Sequence, residues 1–161
     1  MSKSSWLVVG IALICFSLYS NNSIRVPTFP LSPVQETLNI PEPNDELKGL
    51  VEPVVEALQN GSSDRSTDGY RLATLYKDMA ILISVDKDIL KSTESIRQAN
   101  ILSAQLLQID LKGKYDGLAA AANNLFRSYV SEDSVPLDDE LRKKSTEAFN
   151  ALAWGFLEGS K

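Results

Sequence analysis

The chain of 161 residues contains no histidine, and that absence removes a whole group of chemistries. Ser-His-Asp and Cys-His nucleophilic sites, HExxH metalloprotease sites, His-ligated zinc and c-type haem attachment all require an imidazole. Cysteine is nearly as scarce. The single one, Cys15, lies in an apolar stretch near the N-terminus, so the rest of the chain can form no internal disulfide and depends on packing for its stability. Aromatic residues make up 7% of the chain, and most of the tyrosines and tryptophans stand at helical packing spacings, which leaves little to line a sugar-binding cleft. There is also no basic stripe. The formal charge is −5 with both signs interspersed, which argues against a nucleic-acid partner and against adsorption to anionic lipid.

What the chain does have is Trp6 to Tyr19, WLVVGIALICFSLY, with no charged residue and a single Lys in the five residues before it. That is the layout of a signal peptide or membrane anchor over residues 1–20. Its fourteen residues fall short of the roughly 20 that cross a bilayer core comfortably, so both cleavage and retention stay open. Leu18-Tyr19-Ser20 offers a small residue at −1 but Leu at −3. Lipidation at Cys15 is a third reading, set against Ile14 at a position that wants a small residue. All three place Asn21 to Lys161 outside the cytoplasm: on the periplasmic side of an inner membrane if the span is retained, or soluble in the periplasm if it is cut.

Residues 21–43 read as a linker. Pro27, Pro30, Pro33, Pro41 and Pro43 are five of the seven prolines, spaced so that neither a helix nor a central strand runs through them. In a polyproline II conformation this arm reaches about 70 Å at ~3.1 Å per residue. Residues 44–161 then supply about 120 residues, enough for one core.

The apolar periodicity of residues 44–161 predicts an all-α bundle of four to five helices. Asn44 or Asp45 starts the first, with Leu47, Leu50, Val51, Val55 and Leu58 as its apolar stripe and a kink or break at Pro53. The second runs from Ser66–Gly69 to about Val85 with Leu72, Leu75, Tyr76, Met79, Leu82 and Ile83 buried. The third, from Ser92 or Thr93 to Leu111, is apolar over most of its circumference and is expected in the middle of the bundle, with Asn100 on its buried arc. Gly117 to Tyr129 form the fourth, whose Ala119 to Ala122 favour close approach of a neighbour. Pro136 to Glu140 signal the start of the last. There Asp138, Asp139 and Glu140 precede Arg142, Lys143 and Lys144 by four residues each, a favourable order on a helix. Ala148 to Leu157 are apolar nearly all round, so either that helix is central or Trp154 lies at an interface. Trp154 and Phe156 are the candidate partner-interface residues.

Asp64 to Gly69 match the opening of an EF-hand loop, but position twelve is Leu75 where a bidentate Glu belongs, and capping by Ser66, Thr67 or Asp68 accounts for the same residues without a metal. Lys112 and Lys114 around Gly113 lack the approach and the Ser or Thr of a phosphate loop. A carboxylate-only glycosidase needs no histidine, but Glu94, Glu132 and Asp133 stand where acids are common anyway. No catalytic, cofactor or metal residue is therefore expected. The general plan of export signal, proline-rich spacer and small helical domain resembles small envelope proteins of bacteria and of their viruses, including regulators of lysis. That resemblance is architectural and carries no motif. It implies a non-catalytic domain that binds another envelope protein, with a structural, self-associating or virus-encoded membrane protein as the alternative and a cell-wall glycosidase as the second.

Overall fold

The computed structural model describes residues 38–109, 111, 115–130 and 138–161. The span Trp6 to Tyr19, Cys15, most of the proline-rich arm, Glu132, Asp133, Lys112 and Lys114 lie outside them. No helix among the described residues is long and apolar enough to cross a membrane. Residues 39–161 form one unit. It takes in residues 39–43 from the end of the proline-rich arm, where Ile40 and Pro43 are buried.

The architecture is all-α, with no strand among the described residues. In chain order the helices are α1 (Lys48–Gly61), α2 (Arg65–Ser84), α3 (Lys87–Leu90), α4 (Thr93–Gln108), α5 (Tyr115–Tyr129) and α6 (Asp139–Gly159). The five long helices are those the periodicity predicts, and the one-turn α3 is an addition. Four of these starts have a visible local cause. The Asn44 side chain accepts from the Leu47 N–H at 3.1 Å, winding a first turn ahead of α1. Asp64 accepts from the Thr67 N–H at 3.2 Å, Ser92 from Ser95 at 3.2 Å and Asp138 from Glu140 at 3.2 Å, each satisfying an amide that the helix itself leaves unpaired.

Pro53 does not break α1, which is continuous through it. The carbonyl that loses its partner is that of Gly49, four residues earlier, and both residues are exposed, so the unpaired carbonyl is open to solvent. The face of α1 is also rotated from the expected stripe: Val54 and Leu58 are fully buried, while Leu47, Leu50, Val51 and Val55 are half-buried.

The spatial order departs from the expected one. The most extensive helix contacts are α2 with α6 and α1 with α6, followed by α2 with α4 and α4 with α5. Thus α6 lies between α1 and α2, and α4 is peripheral. Leu107 is 63% exposed, and Asn100 faces solvent, its side-chain oxygen accepting from the Arg127 guanidinium of α5. The face turned inward carries Ser95, Gln98 and Ser103; the buried Ser103 hydroxyl has no hydrogen-bond partner among the described residues, and the other two are paired locally. Ser95 donates to the Ile89 carbonyl at 2.7 Å and the Gln98 amide donates to Glu94 at 2.9 Å, which removes most of the cost of burying them. A count of apolar residues around the wheel misses this.

Three glycines set the approach of α6 to its neighbours. A Cβ on Gly155 would stand 2.5 Å from Val54 Cγ2, one on Gly69 2.6 Å from Ser160 Cβ and 2.8 Å from the Phe156 carbonyl, and one on Gly159 3.2 Å from Leu58 Cδ2. Around this seam sits an aromatic core. Tyr76 stacks on Phe156 (centroids 5.5 Å, 12°) and on Phe149 (6.0 Å, 28°), while Tyr115 meets Phe156 edge-on at 5.7 Å and Phe126 meets Phe149 edge-on at 6.3 Å. The Tyr76 and Tyr115 hydroxyls, both buried, hydrogen-bond each other at 3.0 Å. At the other end of α5 the Tyr129 hydroxyl pairs with Ser145 of α6 at 2.7 Å.

Candidate functional site

The two residues expected at a partner interface have different fates. Phe156 is fully buried in the aromatic core and presents nothing to a partner. Trp154, two positions earlier and therefore about 200° away around α6, is half-buried in a surface groove. Of the alternatives for the last helix the first holds, since α6 is central; its tryptophan nevertheless reaches the surface.

The groove follows from the glycine seam. Gly155 lets α6 close on α1 until its Cβ position is 3.4 Å from Val51 Cα, and that places the adjoining indole along the flank of α1. From α1 the lining comprises Lys48, Val51, Glu52, Val55, Glu56 and Gln59. These positions span twelve residues, eleven rises of 1.5 Å or about 16 Å. Glu42 and the buried Pro43, just ahead of α1, complete the wall. The groove is open to solvent and holds about 480 Å³, within the ~300–1,000 Å³ usual for binding clefts. The floor is apolar (Val51, Val55, Pro43 and the indole), and the rim is charged.

That rim is electrostatically unbalanced. Lys48 is held by Asp45 at 2.7 Å, so its charge is already answered outside the groove. Among the described residues nothing forms an ion pair or hydrogen bond with the carboxylates of Glu42, Glu52 or Glu56, all of which are exposed. Such an arrangement can hold an apolar side chain against the indole and attract positive charge along one edge. Exposed carboxylates on one helix face provide no contrast of environment that would separate a general acid from a general base.

The other acidic candidates among the described residues are accounted for by structure. Hydrogen bonds from Arg97 and then Gln98 hold the Glu94 carboxyl below its usual range, which suits a helix-start ion pair. In the EF-hand-like stretch the capping residue is Asp64, one of the loop's own acids, where Ser66, Thr67 or Asp68 was expected. Its carboxyl is pulled down by the hydrogen bonds from Thr67. Asp68 instead accepts from the Ser62 hydroxyl at 2.6 Å. No group of three metal-ligating side chains occurs among the described residues. Of the three expected acid–base pairs on α6 one forms, Glu140 with Lys144 at 3.2 Å. Asp139 pairs with Lys87 at 2.8 Å and with Arg142 at 3.4 Å, because tertiary contact with α3 competes with the local register.

Sequence reasoning found Trp154 but not the groove around it. The one signal available was the pair of rows Glu52–Glu56 and Val51–Val55 on adjacent faces of α1, which reads in isolation as an ordinary amphipathic helix. No protein-family model, curated protein or solved structure matches this chain.

Proposed function

We propose that this is an exported, membrane-tethered or periplasmic helical domain, without catalytic activity, that binds another envelope protein through the Trp154 groove. The observation that supports this reading is a half-exposed tryptophan in an apolar-floored groove about 16 Å long. Tryptophan is the residue most enriched at the energetic centres of protein interfaces, and a small bundle gains more by burying one completely. The lack of histidine and the exposure of the groove carboxylates favour binding over turnover. Tethering through Trp6 to Tyr19 would hold the domain near its partner, replacing intrinsic affinity by effective concentration.

The test is site-specific photo-cross-linking in intact cells, with the cross-linking amino acid at Gln59 on the groove wall or at Leu107 on peripheral α4. A discrete heterologous adduct from position 59 and none from 107 supports the reading. An adduct only with a second copy of the chain supports self-association instead. Release of soluble fragments from peptidoglycan by the purified protein would overturn the non-catalytic assignment.

A further inference from the structure

Resting on that reading, we infer that the groove takes an extended, basic segment of the partner, with lysine or arginine at alternate positions and apolar residues between them. Three features of the site lead there. The first is charge: Glu42, Glu52 and Glu56 line the rim, and the only cation among the lining residues, Lys48, is engaged by Asp45. Uncompensated carboxylates beside an apolar floor favour a cationic ligand and disfavour an anionic one, and an indole adds attraction for ammonium or guanidinium groups.

The second is shape. A groove that follows α1 for about 16 Å matches roughly five residues of extended chain at ~3.3 Å each. A compact organic cation would leave most of it empty. The third is register. Glu52 and Glu56 are one turn apart, about 6 Å along the axis, close to the ~6.6 Å that separates side chains on one face of an extended strand. Basic residues at alternate positions would therefore meet the two glutamates together, while the intervening side chains turn toward Val51, Val55 and Trp154.

Trp154 provides the readout, because only Trp6 shares its fluorescence. The experiment uses the full chain carrying Trp6→Phe in a neutral detergent, titrated with a blocked pentapeptide alternating lysine and leucine and with its glutamate-leucine counterpart. The lysine peptide is expected to shift Trp154 emission saturably and to weaken as salt rises from 0.05 to 0.5 M, values chosen to span the Debye screening range. Glu52→Gln with Glu56→Gln is expected to weaken it about two- to thirtyfold, for two exposed charge pairs of ~0.2–1 kcal/mol each. Partitioning of the peptide into detergent is common to both proteins and cancels. Both positions are exposed, so the variant keeps its fold, and an unchanged circular dichroism spectrum checks this.

Equal binding of the two peptides, no emission change with either, or an unaltered affinity in the double glutamine variant would each overturn the inference. The two failures are separable. If position 59 still cross-links a heterologous partner in cells and the glutamine variant leaves that adduct undiminished, the binding domain stands and the basic segment falls. If position 59 captures no heterologous partner, the reading beneath it falls as well.

Discussion

The buried Tyr76–Tyr115 pair makes the most demanding prediction about what holds the fold together. Their rings are 0% and 1% exposed and the two hydroxyls meet at 3.0 Å. No other hydrogen bond to either hydroxyl occurs among the described residues. Tyr76→Phe or Tyr115→Phe alone leaves the other hydroxyl buried without its partner, which costs about 1–3 kcal/mol. Making both changes removes both polar groups and keeps both rings in their contacts with Phe156, one stacked and one edge-on, so the double variant is expected within about 1 kcal/mol of the wild type. Urea unfolding at pH 7, followed by far-UV circular dichroism, gives all four corners of the cycle.

A pH arm tests the same pair independently. Burial pushes the Tyr76 phenol up to about 12, offset in part by its hydrogen bond to Tyr115. Burial raises Tyr115 as well, reinforced by Tyr76. An unfolded tyrosine ionises near 10, so above that pH the unfolded state loses protons that the native state retains. The contribution is complete below pH 10 and is lost as pH rises through 12. Tyr76 alone accounts for about 3 kcal/mol of that loss, at ~1.36 kcal/mol per unit. The double phenylalanine variant should show a correspondingly flatter alkaline profile. Single-variant losses that simply add within ~0.5 kcal/mol, or parallel alkaline profiles for wild type and double variant, would refute the reasoning.

Gly155→Ala is expected to destabilise by about 1–3 kcal/mol through overpacking, since the new methyl would meet Val54 Cγ2 at 2.5 Å; Val54→Ala in the same background should recover part of the loss in a thermal melt. Desolvation raises the half-buried Asp78 carboxyl to about 6, with Lys77 opposing. At pH 7 the native state therefore bears a charge it would rather lose, and Asp78→Asn should stabilise by up to about 2 kcal/mol, an advantage that shrinks as pH falls from 6 toward 4. Asp64→Ala should lower the melting temperature at pH 7 and Asp64→Ser should restore it. The cap's contribution disappears as pH falls through the carboxyl's lowered value, and millimolar calcium should leave the wild-type melting temperature unchanged.

Where apolar spacing and burial coincide, the fold is legible residue by residue. Leu72, Leu75, Tyr76, Met79, Leu82 and Ile83 are all buried on α2 as their spacing predicts, and Ser92 and Asp138 mark helix starts through short-range chemistry. Legibility ends where a choice depends on a distant partner. Asn100 faces the Arg127 guanidinium of α5, Leu107 is left exposed on α4, and Lys87 draws Asp139 away from Lys143. The site was half legible for the same reason. A tryptophan on an otherwise apolar helix marks itself, but its groove exists only because a glycine beside it admits a helix that lies a hundred residues earlier in the chain.

The position of α6 between α1 and α2 also governs when the fold can form. α1 and α2 are the first helices of the domain to leave the ribosome, yet their largest partner is the last. Until Gly159 is in place, the apolar faces of both helices lack the largest of the surfaces that bury them. The fold is therefore closed by contacts between the two ends of the domain's sequence, and contacts of such long separation slow the search for the native state.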